Sequence, residues 1–305
     1  MRSRARSTPD YESSTNDSFG SSAFALDSAS SFLSRSTVDL AHAKPFLKWV
    51  GGKRQLLDSL RTYKPSTFRR YHEPFVGGGA LFFALAPSQA YLSDRNERLI
   101  RSYIGIRDHV DQVISLLRSY PHEKTFFETM RASNVDAGSD AEVAAWMIYL
   151  NHTAYNGLYR VNKSNRFNVP FGNYKNPTIC DEQRLRACSV SLRGAELDCN
   201  DFTRVVDRAK RGDFVYFDPP YVPLSTSSSF TNYTAGGFDM SRQIELRDVA
   251  RALKKKGVHV LLSNSSADEV RRLYARGFDV VEVGATRAVN SRADRRGKVV
   301  ELLIR

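Results

Sequence analysis

The spacing of apolar positions changes several times along the chain, and each change predicts an element. The unbroken run from Phe214 to Phe217 is short and is followed by two prolines, so it predicts a strand buried on both faces and stopped at its carboxyl end. Ahead of it, 54–60 reads as a helix and 71–76 as a strand running into Gly77, Gly78 and Gly79. A helix over 80–85 and a second strand over 90–93, ending at Asp94, follow. From 97 to 182 the pattern turns helical, with 3.6-type spacing over 110–117, 123–131 and 141–150. A polar, basic stretch closes that segment, with a hairpin turn at 162–165 before 167–170. The α/β alternation resumes with 189–197 and 214–217, a helix over 244–255 and a strand over 258–263. The runs 278–283 and 299–304 predict a closing antiparallel pair around a basic loop, 287–298, with five basic residues that either track a nucleic-acid backbone or form a solvated tip.

These elements predict an α/β fold whose sheet is mostly parallel with an antiparallel C-terminal strand, interrupted by an inserted, mainly helical segment. Boundaries fall at 1–43, 44–96, 97–182 and 183–305. The first 43 residues hold a dozen serines and no sustained periodicity, which predicts a disordered tail and order from about Lys44 onward.

Charge narrows the partner. The chain carries a formal +12, and the tail has four arginines against five acids, so the remaining body is more basic still. A basic folded body suits a polyanionic partner, although many basic proteins bind no nucleic acid. The three cysteines, Cys180, Cys188 and Cys199, are odd in number and show no C-x-x-C spacing, which argues against a disulfide scaffold or a zinc site and fits a reducing cytoplasm. No metal site is expected. No apolar stretch reaches membrane-spanning length, and no signal peptide opens the sequence.

The chemistry concentrates in Asp213-Phe-Val-Tyr-Phe-Asp-Pro-Pro-Tyr221. Open α/β sheets place their ligand crevices at strand carboxyl ends, where this chain must turn. The turn offers a carboxylate at Asp218, a rigid carbonyl at Pro219 before Pro220, and an aromatic face at Tyr221. Two acceptors beside a stacking surface suit a flat ring bearing an exocyclic amine, such as adenine. Hydrogen bonds from both amine N–H groups would favour a more tetrahedral nitrogen and free its lone pair for an electrophilic methyl carbon. The bland alternative is an ordinary strand-end turn.

Two further groups accompany it. In Phe75-Val-Gly77-Gly-Gly79-Ala, glycines let the backbone approach a ligand at a helix start, although a merely tight connection uses the same residues. Asp94, at the end of the next strand, can accept the hydroxyls of a ribose, or can simply cap the following helix. In Lys44-Pro-Phe-Leu-Lys-Trp49-Val-Gly-Gly-Lys53-Arg, Trp49 can pack on a cofactor and Lys53 can meet a carboxylate. A core tryptophan and a surface lysine are the plain alternatives.

The order of these motifs resembles that of amino-methylating DNA methyltransferases of the bacterial Dam type, the D12 class, from Lys44 to Arg305. Asn151-His-Thr-Ala-Tyr155-Asn156-Gly-Leu158-Tyr-Arg160 and Arg166-Phe-Asn-Val-Pro-Phe-Gly-Asn-Tyr-Lys175 are also similar to that family's recognition segment. The resemblance implies a Rossmann-like methyltransferase sheet, its first part over 44–96 and its second over 183–305, with a DNA-recognition domain over 97–182. It implies S-adenosylmethionine as methyl donor and N6 of an adenine in double-stranded DNA as acceptor. Trp49, Lys53, Phe75, Gly77, Gly79, Asp94 and Asp218 are then expected at the cofactor, with Asp201 and Phe202 near its adenine. Tyr155, Asn156, Leu158 and Arg160 are expected at the DNA bases, Arg160 reading a guanine. Lys163, Arg166 and Lys175 are expected on phosphates. The adenine must leave the duplex stack, with Tyr221 stacking on it and the loop 222–238 ordering over it. Asn173 stands where well-known members carry a basic residue, and GATC is the leading target. A cytoplasmic monomer is expected, with room for a cognate restriction enzyme acting on the same site.

Three other readings compete. Methylation of cytosine N4 uses similar chemistry, but such enzymes more often begin the tetrad with serine. Protein glutamine methylation uses a turn that begins with asparagine, and the basic insertion disfavours it. A catalytically dead DNA-binding module would not need the motif residues at all.

Overall fold

The strands are β1 (Tyr71–Glu73), β2 (Ala90–Asp94), β3 (Ala195–Cys199), β4 (Phe214–Phe217), β5 (His259–Ser265), β6 (Val280–Thr286) and β7 (Lys298–Ile304). They come from a computed structural model of the protein that describes residues 40–222, 238–286 and 298–305. Among these residues the seven strands form one sheet in the order β3-β2-β1-β4-β5-β7-β6. β1 runs parallel to both β2 and β4, with Tyr71 opposite Ala90 and Phe214. β3 and β5 extend the parallel part, and β7 lies antiparallel between β5 and β6. The chain winds outward from β1 to β3 and then returns to β4, so the order reverses between β1 and β4. Their carboxyl ends form the crevice where such sheets bind ligands.

All four residues of β4 are buried. Phe214 and Tyr216 join one apolar cluster and Val215 and Phe217 another, the period-two alternation of a strand covered on both faces. The helices are α1 (Leu57–Tyr63), α2 (Ala80–Leu85), α3 (Glu97–Ser119), α4 (Lys124–Ala132), α5 (Asp140–Thr153), α6 (Glu182–Leu192), α7 (Val205–Arg208), α8 (Met240–Lys255) and α9 (Asp268–Tyr274). Helices α1 to α6 share the first cluster with β1, β2 and β4, so the 97–182 segment and the sheet have one continuous core. Helices α8 and α9 cover the opposite face.

Several boundaries depart from those the sequence predicts. The strand expected over 71–76 stops at Glu73, because Pro74 has no N–H for the ladder. The helix expected over 110–117 is the last part of α3, which starts at Glu97 where the Asn96 side chain accepts from the Leu99 amide. Its first turns bury Leu99, Ile100, Tyr103 and Ile106 at helical spacing, together with the polar Arg98 and Ser102. The stretch 189–197 straddles α6 and β3, since α6 is capped by Asp181 well before it. Most of the predicted tail, and most of the two loops at 222–238 and 287–298, lie outside the described residues. Within the tail, Leu40–His42 form a short 3-10 turn and Ala43 is buried. No helix among the described residues is long and apolar enough to cross a membrane.

Candidate active site

The glycine turn after β1 is shaped by what lies on it. Gly77 has φ +47°, and a Cβ there would sit 2.8 Å from Cδ1 of Trp49. Glycine therefore lets the indole lie on the turn. Asp94, at the end of β2, faces the same turn. Its Oδ2 accepts the Gly77 amide at 3.2 Å and its Oδ1 the Asn96 amide at 3.0 Å. Burial pushes this carboxyl above the usual range, and the amides of Asn96, Gly77 and Arg95 pull against that. With three amides on it, the carboxylate keeps room for one further donor. Gly79 packs against Tyr103, whose hydroxyl donates to the Gly77 carbonyl at 3.0 Å.

An aromatic wall continues the crevice. Phe75 stacks on Phe202 with centroids 5.3 Å apart and planes 25° apart, and Phe238 meets Phe75 edge-on at 5.5 Å. The Arg242 guanidinium lies over Phe202, 4.6 Å from the ring centroid, and bonds the Asp201 carboxylate. Asp201 also accepts the Thr203 amide at 3.1 Å. Burial raises the Asp201 pKa, but Thr203 and Arg242 outweigh it and leave the carboxyl below its ordinary value. Asp201 therefore reaches the expected place already paired.

At the end of β4, Asp218 is the focus of the site. Its Oδ1 lies 2.8 Å from the Lys53 ammonium and accepts the Ser263 hydroxyl at 3.0 Å. The Lys53 side chain is 7 % exposed and also donates to the Gly51 carbonyl at 2.6 Å. Burial raises the Asp218 pKa, with Lys53 and Ser263 opposing. Lys53 also stands over the Tyr221 ring, 4.5 Å from its centroid, while the Tyr221 hydroxyl donates to Glu301 at 2.6 Å. The carboxylate that Lys53 meets is the protein's own Asp218, and one face of the expected stacking ring carries a cation.

The recognition residues form a turn and a hairpin. Asn156 and Gly157 are both left-handed, φ +54° and +63°, which turns the chain sharply after α5. Tyr155 is 51 % exposed, Leu158 is half-buried, and the exposed Arg160 is braced by Asn168, its Nε donating to Oδ1 at 2.7 Å. The predicted turn at 162–165 is present, with the Asn162 amide bonded to the Arg166 carbonyl at 2.9 Å and Val161 bridged to Phe167. Lys163, Arg166 and Lys175 are exposed, and among the described residues none makes a salt bridge. Buried Arg98 holds the hairpin to α3. It grips both oxygens of Asp136 at 2.6 and 2.7 Å and donates to the Asn165 carbonyl at 2.7 Å.

The turn is joined to the segment that lies on the glycine turn by further contacts. Buried Asn151 accepts the Lys48 amide at 2.7 Å and donates to the carbonyls of Lys48 and Gly157 at 2.9 and 2.8 Å. Tyr159 stacks on Trp49 at 5.6 Å and 20°. Lys48, exposed beside this junction with its ammonium over Tyr174, also escaped the sequence reading. So did Glu73, buried at the end of β1, where the Tyr71 hydroxyl donates to it at 2.9 Å. Burial pushes the Glu73 carboxyl up to about 8. A signal existed for Asn151 and Lys48, which lie inside the quoted motifs, but none for Glu73.

Comparison with known proteins adds an independent line. The chain is 43% identical over 269 residues to the type II methyltransferase M1.LlaDCHI of Lactococcus lactis subsp. cremoris, covering 86% of this chain and 94% of that one. It is 41% identical to the type II methyltransferase M.MjaIII of Methanocaldococcus jannaschii, covering 86% and 98%. It is 34% identical to the DNA adenine methylase of Escherichia coli K12, covering 85% and 94%. A solved precorrin 8w decarboxylase structure aligns with a TM-score of 0.33 and 12% identity over 82% of this chain and 88% of that one, too slight a likeness to carry an argument. With residues 49–289 matching the family's sequence pattern and the motifs gathered on one sheet edge, the chain belongs to the D12 class N6 adenine-specific DNA methyltransferases.

Proposed function

We propose that the protein methylates N6 of an adenine extruded from duplex DNA, with S-adenosylmethionine as donor and GATC as target. The observation that carries this reading is Asp218, a carboxylate at the switch point of the sheet that already accepts from an ammonium and a hydroxyl. A group held by N–H and O–H donors in a sheltered pocket is prepared for an amine.

The residues present fit the cofactor. The Asp94 carboxylate, held by backbone amides, retains capacity for a ribose hydroxyl. Phe75 and Phe202 offer apolar ring faces for an adenine, and Asp201 lies beside them. Trp49 and Gly77 shape the wall between, with Gly79 behind. Bound there, S-adenosylmethionine supplies an electrophilic methyl carbon on a sulfonium.

Asp218 and the Pro219 carbonyl hold the two N–H groups of N6, so its lone pair points out of the ring plane. Lys53 would turn from Asp218 Oδ1 to the carboxylate of a bound cofactor, opening that oxygen to the amine. Tyr221 supports the base on the ring face that Lys53 leaves free. The surplus proton on the methylated nitrogen passes to Asp218, whose burial makes it a better base than an ordinary aspartate. Arg160, aimed by Asn168, reads a guanine, and Tyr155, Asn156 and Leu158 meet neighbouring bases. Lys163, Arg166 and Lys175 orient the duplex through its phosphates.

Incubation with unmethylated genomic DNA and S-adenosylmethionine, followed by nucleoside analysis and mapping, tests this. N6-methyladenine within GATC is expected. N4-methylcytosine would overturn the acceptor, and N6-methyladenine in another sequence would overturn the target alone.

A further inference from the structure

The Asp218–Tyr221 turn lacks the usual means of holding itself. Pro219 and Pro220 have no N–H groups, so its carbonyls need donors from elsewhere. The end of β5 and the start of α8 supply them at alternate positions. Ser263 donates to the Asp218 carboxylate at 3.0 Å, Gln243 Nε2 donates to the Pro220 carbonyl at 3.0 Å, and Ser265 Oγ donates to the Val222 carbonyl at 2.7 Å. Tyr216 lies 3.0 Å from Ser263 Oγ, and since that hydroxyl's proton goes to Asp218, the tyrosine is the donor.

Gln243 is the member with the least freedom. Both Gln243 and Asn264 are fully buried. The Ser265 amide donates to Asn264 Oδ1 at 2.8 Å, and Asn264 Nδ2 donates to Gln243 Oε1 at 3.0 Å. An amide N–H can only donate and a carbonyl can only accept, so neither side chain can flip without losing bonds at both ends. The relay runs one way, from the Ser265 amide to the Pro220 carbonyl. No water or exposed surface need take part.

We infer that Gln243, aimed by Asn264, is a positioning residue for the methyl-accepting pocket. The prolines already fix two φ angles of the turn, and the bond to the Pro220 carbonyl fixes the peptide plane that leads into Tyr221. Together these set the angle between the Pro219 carbonyl and the Tyr221 ring, the two surfaces between which the target adenine is held. This rests on the proposed reading of the site. It goes beyond that reading in assigning alignment of the acceptor to a glutamine that touches neither substrate.

The test compares wild type with Gln243→Leu and Gln243→Glu in thermal stability, cofactor and DNA affinity, and single-turnover methyl transfer across pH. Misalignment in the leucine variant should slow single-turnover transfer about a hundredfold while both affinities hold. In the glutamate variant the ionised side chain faces the Pro220 carbonyl and cannot donate, but the neutral acid can. Its rate relative to wild type should therefore rise as the pH falls. Asp218, Lys53 and Glu301 around the turn and Arg242 on α8 are the charged groups nearby, and an added carboxylate raises the Asp218 pKa further, so the ratio is read over the pH range in which the wild-type rate is flat. A merely structural glutamine would move stability but leave this ratio flat. A flat ratio, or a leucine variant that turns over at the wild-type rate, overturns the inference. If the leucine variant does not fold, the pH dependence of the glutamate variant decides. Wild-type protein that transfers no methyl to DNA would sink the reading of the site, a failure visible before any variant is made.

Discussion

The carboxyl edge of the sheet and the recognition hairpin differ in how their polar groups are spent. At the sheet edge, Asp94, Asp201 and Asp218 each hold amide, hydroxyl or cation partners before any ligand arrives. On the hairpin, Lys163, Arg166 and Lys175 stand exposed without salt bridges among the described residues, and only Arg160 is braced. The difference fits the tasks proposed for them. Chemistry at an amine demands acceptors fixed to fractions of an ångström, which strand ends and their caps can provide. Phosphate binding draws on charge that is cheapest when it stays hydrated until DNA displaces the counterions. Asn151 and the Trp49–Tyr159 stack join the two regions into one frame.

The largest expected effect would break the sheet-edge half of this contrast. Asp218→Ala should cost roughly 3–4 kcal/mol in turnover while leaving DNA affinity nearly intact, as steady-state rates and equilibrium binding would show. Unimpaired turnover would place the amine elsewhere. A change of pH reaches the same region through Glu73. Its folded pKa of about 8 lies above the ordinary 4.5, so between those values the folded protein keeps a proton that the unfolded chain has lost. Stability from this source is full below pH 4.5 and is lost as the pH rises through about 8. Glu73→Gln should flatten that decline and leave the variant more stable than wild type above pH 8, by roughly a few kcal/mol in denaturant melts.

The hairpin should answer differently. Arg160→Ala is expected to relax discrimination at one base pair by about 1–3 kcal/mol, measured by competition between cognate and single-substituted duplexes. Equal weakening on every sequence would mark it as a phosphate contact instead. The smallest effects belong to Lys163→Ala, Arg166→Ala and Lys175→Ala. Each should weaken all sequences alike and reduce the slope of log affinity against log salt by about 1. A sequence-dependent loss at any of them would blur the division of labour.

Much of the sheet edge could be read from local sequence because its motifs are local. Two prolines after an apolar run mark a strand end, and α2 spans the predicted 80–85 because the glycine turn and apolar run define both its limits. Asp94 was legible as the acid that closes a strand. What joins distant segments was not. Ser263, Gln243 and Asn264 belong to an ordinary-looking strand and helix, and their meaning appears only when β5 and α8 meet the turn after β4. Lys53 could be read as able to meet a carboxylate, but not which one. Its pairing with Asp218, far along the chain, depends on how the segment before α1 crosses the crevice. That the helical pattern begins at 97 was legible, but the bidentate ion pair by which Arg98 ties α3 to Asp136 was not, because its partner lies far along the chain.

The central claim is that Asp218 and the Pro219 carbonyl grip the target amine, and a crystal structure with a GATC duplex and a non-reactive cofactor analogue tests it most directly. The account predicts N6 of the extruded adenine at roughly 3 Å from both acceptors, with Lys53 moved off Asp218. An adenine seated in the crevice while Asp218 still holds Lys53, its amine bound by other groups, would contradict it.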